Sequence, residues 1–235
     1  MMSVPMSPTL DELLCPPETF DRRNFTAFLF RPYSIKERRE ISLYTPGMYA
    51  LWLRLESDPE VKRFNTEVCA VPISIGTSAI SAAPRCVSVH LSGTVTIHTF
   101  NKIDAIDDEP RQDELSVTSW EAWASERGLQ HKPWTHGELF SDEINLANLG
   151  QLLAYTSRPG FIPNTELAQR IMSELSAFRR TTVAKLSQLF PKTDPELFYE
   201  SLASLIIDRK IYTDIAKEPF SMITMISAFR DVSEL

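Results

Sequence analysis

The sequence predicts an α/β domain with a mixed sheet, followed by a smaller α+β domain. Helical and β-type hydrophobic periodicities alternate over residues 45–156, which is typical of an α/β domain. A segment with two prolines and a glycine, 157–163, then interrupts the pattern and indicates a linker. Beyond it, three helical segments are followed by two strand-like segments. The 235 residues, of which 43% are hydrophobic and 23% charged, suit a globular chain of this size.

Charge and cysteine content limit the classes of function. The net charge of −7 gives no overall attraction to nucleic acid, so DNA contact would need a local basic patch. Cys15, Cys69 and Cys86 lie far apart, which indicates reduced thiols in a cytosolic protein. No apolar run approaches the ~20 residues that span a bilayer, and the first residues lack the features of a signal peptide. We therefore expect a cytoplasmic protein without a membrane partner.

The first forty residues contain an arm and a basic segment. Four prolines in residues 1–19 predict an extended N-terminal arm. Six cations then lie within eighteen residues, interleaved with aromatic residues and accompanied by three acids. A solvated loop with aromatic anchors is one interpretation, and contact with phosphates is the sharper hypothesis. The six cations are Arg22, Arg23, Arg31, Lys36, Arg38 and Arg39.

The elements of the α/β domain follow in order. Thr45 is a candidate N-cap before Pro46 at the first helical position, and Asp58-Pro59 ends this helix. Residues 61–64 and 70–75 predict short strands. Two runs with β-branched residues at period two, broken at Gly93, predict a hairpin over 85–102. The acidic segment 104–114 predicts a solvated loop.

The rest of this domain alternates helix and strand. A helix is expected over 120–127, closed by Gly128, and a short strand over 131–135. Ser141 is a candidate N-cap for a helix that reaches about residue 156, with Asp142 and Glu143 placed favourably for the helix dipole. This order of elements favours a mixed sheet.

The C-terminal segment predicts a winged helix. Asn164, Thr181 or Thr182, and Asp194 are candidate caps of three helices, and residues 210–213 and 220–226 are strand-like. The third helix of such a domain usually enters the major groove. Here it contains acids and no Lys or Arg before Arg209, so it would repel phosphates. Protein docking is therefore favoured over DNA reading.

Common enzyme motifs are missing from the sequence. There is no GxGxxG, P-loop, HExxH or GxSxG pattern. The four histidines, which lack metal-ligand spacing, are expected to be hydrogen-bonded or solvent-facing, and the four tryptophans to anchor the core. The histidines are His90, His98, His131 and His136.

The order of these elements from about residue 20 to 158 resembles that of the TnsA endonuclease subunit of heteromeric transposases. Leu51-Trp-Leu-Arg-Leu-Glu-Ser-Asp-Pro-Glu-Val61 resembles that family's helix end and "dPdV" turn. The run from Phe64 to Pro72 is similar to its "f-x-x-Q-P" segment, with Val71 in place of Gln. Trp123-Ala-Ser-Glu-Arg-Gly-Leu, Phe140-Ser-Asp-Glu-Ile-Asn and Asn148-Leu-Gly-Gln-Leu resemble its conserved tail. The most specific of these motifs is the "DEIN…NL" stretch.

The resemblance implies three parts: an N-terminal arm (1–19), a restriction-endonuclease-like domain (20–158) and a winged helix (159–235). In active relatives, an acid on the first helix, the Asp of "PDF" and a Glu/Gln-x-Lys strand form the site, where carboxylates hold Mg²⁺. The matching positions here hold Met48, Arg85, Thr99 and Asn101, with Lys102 one step out of register. An arginine ~4 Å from the cation would repel it by roughly 4 kcal/mol at an effective dielectric of ~20. We therefore expect a catalytically inactive protein without a cofactor.

Two alternatives remain open. Glu56, Asp104, Asp107 or Asp108 could replace the missing ligands, which would make the chain an active, Mg²⁺-dependent endonuclease that nicks transposon 5′ ends. A winged-helix transcriptional regulator is the other alternative.

The resemblance also implies partners: a DDE-type transposase subunit, an AAA+ ATPase regulator and transposon-end DNA, which the protein would bridge. The predicted DNA contacts are Arg22, Arg23, Arg31, Lys36, Arg38, Arg39, Arg85 and Lys102. The predicted partner contacts are Glu196, Phe198, Glu200, Arg209 and Lys210.

Overall fold

A computed structural model describes residues 13–14, 29–75, 78–100, 117–178 and 180–228. Within these residues the chain is a mixed α/β protein with several sheets and seven helices, so the predicted α/β class is confirmed. The chain divides into two compact units. The first comprises the described residues of Met1–Pro32, Glu40–Leu55 and Glu60–Ser141, and the second those of Tyr33–Arg39, Glu56–Pro59 and Asp142–Leu235.

The described elements follow one another in a simple order. They are β1 (Tyr33–Ser34), β2 (Arg39–Glu40), α1 (Pro46–Ser57), β3 (Val61–Asn65), β4 (Val71–Ile75), β5 (Ser78–Ala82), β6 (Cys86–His90), β7 (Val95–Phe100), α2 (Val117–Ser125), β8 (Gln130–Trp134), α3 (His136–Phe140), α4 (Glu143–Thr156), α5 (Thr165–Ser176), β9 (Thr181–Thr182), α6 (Val183–Gln188), α7 (Pro195–Ile207), β10 (Ile211–Thr213) and β11 (Met225–Ala228).

A four-stranded sheet with the order β3-β6-β7-β8 forms the centre of the first unit. Neighbouring strands are antiparallel from β3 to β7, whereas β7 and β8 are parallel and are connected through α2. The predicted hairpin is confirmed as β6–β7. Gly93 lies in its turn with a φ of +84°, a left-handed conformation that glycine adopts without steric cost.

Helix α1 begins as the sequence predicts. The Thr45 hydroxyl accepts a hydrogen bond from the Met48 backbone N–H at 3.1 Å, and Pro46 is the first helical residue. The cap satisfies one of the backbone donors that the first turn leaves unpaired. The helix ends at Ser57, just before the predicted stop at Asp58 and Pro59.

A second hairpin, β4–β5, forms a separate two-stranded sheet. Strand β4 was predicted from the sequence but β5 was not, because Ser-Ala-Ile-Ser-Ala contains one β-branched residue and has little intrinsic strand preference. Val71 and Ile73 of β4 are buried in the core of the first unit, together with Trp120 and Trp123 of α2.

Two residues of the predicted N-terminal arm are buried in this same core. Leu13 and Leu14 are 2% and 4% exposed and pack with the apolar residues of β4 and α2. The Asn65 side-chain amide donates a hydrogen bond to the Leu13 carbonyl at 3.0 Å. The rest of the arm lies outside the described residues.

The predicted cap at Ser141 was wrong, because helix α3, which was not predicted, ends there. Thr135 and Glu138 form a capping box that starts α3: the Thr135 hydroxyl accepts from the Glu138 N–H, and the Glu138 carboxylate accepts from the Thr135 N–H. Ser141 is the C-cap of this short helix. Asp142 stands at the N-cap of α4, and its side chain makes no capping hydrogen bond.

The second unit contains α4–α7 and the antiparallel sheet β10-β11-β9. Three predicted caps are confirmed, because Asn164, Thr182 and Asp194 each accept a hydrogen bond from a backbone N–H in the first turn of α5, α6 and α7. The strand predicted over 220–226 instead begins at Met225, and the two-residue strand β9 was not predicted.

The boundary between the units falls at Asp142, whereas the sequence predicts it at 158/159. Leu152 of α4 is fully buried in the core of the second unit. The Asn148 amide donates to the carbonyls of Ile215 and Glu218 at 2.7 and 2.8 Å and accepts from the Phe220 N–H at 2.8 Å. Helix α4 therefore belongs with the helices that follow the linker.

Candidate functional site

The start of β6 and the end of β7 contain the positions at which the resemblance predicts metal ligands. Cys86 pairs with His98 in the ladder, and the Arg85 N–H donates to the His98 carbonyl at 2.8 Å, which places Arg85 beside Thr99 on the neighbouring strand. The Arg85 guanidinium lies 5.6 Å from the centre of the Phe100 ring, within range of a cation–π interaction. A half-buried cation therefore stands where the resemblance predicts a carboxylate.

Thr99 is buried and contacts a histidine. Its hydroxyl lies 2.8 Å from Nε2 of His131 on β8. The centre of the His131 ring lies 6.5 Å from the centre of the Trp120 ring, with an angle of 29° between the ring planes. Burial lowers the pKa of His131, and the negative charge of Glu121 opposes this effect only in part. A neutral imidazole and a hydroxyl thus occupy the second predicted ligand position, without a carboxylate.

Met48, the third predicted position, is buried on α1. Its thioether is a weak hydrogen-bond acceptor and a poor ligand for Mg²⁺, which prefers oxygen. Asn101 and Lys102 lie outside the described residues, as do the possible rescuing acids Asp104, Asp107 and Asp108.

A buried Ser–His–Trp network crosses the same sheet and was not predicted. His98 Nε2 lies 2.8 Å from the Ser88 hydroxyl, and Trp134 Nε1 donates to His98 Nδ1 at 3.0 Å. Because the indole is only a donor, Nδ1 must be unprotonated and Nε2 carries the hydrogen of the neutral ring. Burial is the largest cause that lowers the pKa of His98 to about 3.

This network does not have the arrangement of a nucleophilic Ser–His pair. Such a pair needs an unprotonated nitrogen facing the serine hydroxyl, whereas the His98 nitrogen facing Ser88 carries a hydrogen. Ser88 is also fully buried. The alternation of polar residues along β6 and β7 was the sequence signal for a shared face, but the contribution of Trp134 depends on the parallel crossover to β8.

Glu56, the predicted rescuing acid on α1, is buried and fully engaged in the second unit. Its carboxylate accepts from the Ser34 hydroxyl at 2.6 Å and from the N–H groups of Ile35 and Lys36 at 2.9 and 3.3 Å. Burial raises its pKa, and these hydrogen bonds oppose the rise. The carboxylate therefore accepts hydrogen bonds from β1 and from the β1–β2 turn.

Lys36, a predicted DNA contact, belongs to the same cluster. Its ammonium donates to the carbonyl of Asp58, and the Asp58 carboxylate accepts from Arg209 at 3.2 Å. Burial lowers the pKa of Lys36 to about 8, against the raising effect of Glu56 and Asp58. Lys36 and Arg209 therefore connect segments of the second unit, and their predicted contacts with DNA and with a partner stay predictions.

The other predicted DNA contacts differ in exposure. Arg31 is exposed and lies 3.8 Å from Glu40, and Arg38 is exposed in the β1–β2 turn with a φ of +55°. Arg39 and Arg85 are half-buried. Arg22 and Arg23 lie outside the described residues.

The predicted partner contacts on and after α7 separate into two groups. Glu196 and Lys210 are exposed. Phe198 is 3% exposed in the core of the second unit, so it cannot contact a partner directly. Glu200 is also buried and forms an ion pair with Arg158.

No model of a protein family matches this chain, and no curated protein matches it. In the described part of the chain, no group of three His, Cys, Asp or Glu side chains could hold a metal ion. The described helices also include none that is both long and apolar enough to cross a membrane.

Proposed function

We propose that this chain is a catalytically inactive, TnsA-like subunit of a DNA transposition complex. Its first unit would have a restriction-endonuclease-like core that contacts transposon-end DNA. Its second unit would contain a winged helix, formed by α5–α7 and β9–β11, that docks on a protein. The subunit would bridge a DDE-type transposase and an AAA+ ATPase regulator.

The element order of the first unit supports this proposal. Helix α1 precedes β3, β6 and β7, and helix α2 then leads to β8. Strands that follow one another in this series are also neighbours in the four-stranded sheet. The resemblance to TnsA rests on sequence motifs and on this order of helices and strands, although the hairpin β4–β5 was not part of that expectation.

The observation that carries the proposal is the pairing of Arg85 with the end of β7. The hydrogen bond from its backbone N–H to the His98 carbonyl places Arg85 opposite Thr99 in the ladder, its guanidinium lies 5.6 Å from the centre of the Phe100 ring, and the Thr99 hydroxyl contacts His131. The strands that would present two carboxylates to Mg²⁺ thus present a cation and a neutral hydroxyl. A cation at this place suits a phosphate oxygen better than a metal ion.

A nicking assay tests the loss of catalysis. The purified chain is incubated with labelled transposon-end DNA, Mg²⁺ or Mn²⁺, and its transposase and ATPase partners. We expect no cut at the 5′ ends that depends on this chain, while transposition in the complete mixture requires it. A cut that disappears when an acid of this chain is replaced would overturn the proposal.

DNA contact is tested separately by fluorescence anisotropy with the same DNA. Arg31→Ala, Arg38→Ala and Arg85→Ala should each weaken binding and lower the slope of log K against log salt by about 1. Lys192→Ala is the matched control, because Lys192 is exposed and lies outside the predicted set. Equal affinity and equal salt slope in all four variants would exclude DNA contact through these arginines.

Docking through the second unit depends on the exposed residues of α7 and the turn after it. Glu196→Lys and Lys210→Glu reverse two exposed charges and should weaken binding to the ATPase or the transposase in a titration calorimeter. Glu166→Lys, at an exposed position on α5, is the control. Unchanged affinity of both variants for both partners would exclude this surface.

An active nuclease is the second candidate function. Strand β7 ends at Phe100, and Asp104, Asp107 and Asp108 follow within eight residues of sequence, so acids remain near the predicted site along the chain. Nicking that is lost in Asp104→Ala, but retained in Glu56→Gln, would favour this candidate and would also identify the displaced ligand.

A further inference from the structure

Each strand of the β4–β5 hairpin has one outer edge, on the side away from its partner strand. The two strands form a sheet of their own in the first unit. In the described residues, no further strand pairs with this hairpin on either side. Backbone N–H and C=O groups on such edges can pair with another strand.

The register shows which residues of β5 direct these groups outward. Pro72 pairs with Ser81, and Ser74 pairs with Ala79. Because proline has no N–H, Pro72 fits a non-hydrogen-bonded pair, in which both residues turn their backbone groups away from each other. The two kinds of pair alternate, so Ser74 and Ala79 form a pair of the same kind. Ala79 and Ser81 therefore direct their N–H and C=O groups to the outer edge of β5.

The other edge strands of the first unit carry features that prevent pairing. Strand β3 has the exposed Lys62 and a register shift next to it. Strand β8 has an exposed lysine, Lys132, and a proline, Pro133. The outer edge of β4 lacks a donor at Pro72. Charges, bulges and prolines are the usual protection of sheet edges.

Strand β5 has none of these features. Its sequence, Ser-Ala-Ile-Ser-Ala, contains no charge and no proline, and no charged residue occurs in the sequence between 70 and 84. The small side chains of Ser78, Ala79 and Ser81 are exposed, and Ile80 is half-buried. Small, neutral side chains leave the backbone edge accessible.

We propose that the outer edge of β5 pairs with the same edge of a second copy of this chain. The two strands would run antiparallel about a two-fold axis at Ile80. Ala79 of each copy would exchange two N–H···O=C bonds with Ser81 of the other, and the two Ile80 side chains would face each other in a non-hydrogen-bonded pair. This closed, two-fold arrangement is the commonest form of homo-oligomer.

The symmetry of the edge is the argument for a second copy over a different protein. The two outward-directed residues flank Ile80 at equal distances in sequence, so a rotated copy presents the matching donors and acceptors. The absence of charge means that the edge does not repel itself. The half-buried Ile80 also gains an apolar neighbour of its own kind. The interface is small, so we expect a weak dimer in rapid exchange with the monomer.

Sedimentation velocity of the full chain tests this proposal. The wild-type chain should dimerise reversibly as its concentration is raised to hundreds of micromolar. The variant Ala79→Lys/Ser81→Lys places two like-charge pairs across the axis and should weaken dimerisation by about 2- to 30-fold. The variant Ala79→Glu/Ser81→Lys changes the same two positions but places opposite charges across the axis, and should strengthen dimerisation by a similar factor.

Folding and charge effects can be separated in this experiment. Both positions are exposed, so circular dichroism should show the same fold in both variants, and the difference between them should shrink in high salt. A wild-type chain that stays monomeric at all concentrations overturns the proposal. A dimer that responds equally to the two double substitutions also overturns it, because its interface then lies elsewhere.

Discussion

The buried carboxylate of Glu56 allows its structural role to be separated from a role in metal binding. Glu56→Ala would leave three donors without an acceptor: the Ser34 hydroxyl and the N–H groups of Ile35 and Lys36. Hydrogen bonds to a charged group contribute about 1.5–3 kcal/mol each, and unsatisfied buried groups cost about 1–3 kcal/mol. Two of the three contacts are only partly buried, so we expect a total loss of about 2–4 kcal/mol in the free energy of unfolding.

Glu56→Gln is the matched variant. The amide oxygen can accept from Ile35 and Lys36 as the carboxylate oxygen Oε1 does, and the amide nitrogen can donate to the Ser34 hydroxyl. The raised pKa of Glu56 means that the folded chain favours the neutral acid more than the unfolded chain does. Glu56→Gln should therefore be neutral or stabilising at neutral pH, and the wild type should lose stability as the pH rises from about 4.5 through the raised pKa.

Urea denaturation followed by circular dichroism measures both variants. Because the midpoint temperature of a chain this long moves by about 2–4 °C per kcal/mol, a thermal scan should show the Glu56→Ala loss clearly. The structural reasoning would be refuted if Glu56→Ala were as stable as the wild type, or if Glu56→Gln were equally destabilised. A metal ligand, in contrast, would lose function in both variants without this difference in stability.

Three further predictions concern buried polar groups. The Lys36 ammonium loses its proton more readily in the folded chain, where its pKa is about 8, than in the unfolded chain, where it is 10.5. The free energy of unfolding of the wild type should therefore increase relative to that of Lys36→Met as the pH rises from about 8 to 10.5, as measured by urea midpoints. Asn148→Ala should lower the free energy of unfolding by about 2–4 kcal/mol through its three lost hydrogen bonds, whereas Gln151→Ala, at an exposed position on the same helix, should not. The His98 ring should stay neutral down to about pH 4, since its pKa is about 3, with the hydrogen on Nε2 in nitrogen NMR spectra; a ring that titrates near pH 6.5, the ordinary value for histidine, would contradict the network with Trp134.

The sequence was most informative where an interaction spans only a few residues. Thr45, Asn164 and Thr182 cap helices through backbone donors three residues ahead, so residue type and spacing are enough to predict them. Gly93 marks the β6–β7 turn for the same local reason. Ser141 was misassigned because a short helix with its own capping box ends there, and local signals of two adjacent helices overlap.

The candidate site was only partly predictable. The sequence places Arg85 and Thr99 on neighbouring strands, and this neighbourhood is present. It gave no indication that His131 would contact Thr99 or that Trp134 would donate to His98, because both contacts depend on the parallel crossover from β7 to β8. Lys36 was predicted from a basic segment interleaved with aromatic residues and Glu56 as a possible replacement ligand, and their burial could not be predicted from the neighbouring sequence.

By itself, the sequence determined the α/β class, the order of most elements and the residues at the predicted nuclease positions, because these depend on periodicity, on caps and on residue identity. Tertiary structure decided where the units divide and which polar residues are structural. Helix α4 precedes an evident linker, yet Leu152 and Asn148 join it to the second unit through a core and hydrogen bonds to residues about 70 positions away. Such contacts depend on how distant segments pack, and this packing cannot be predicted from local sequence patterns.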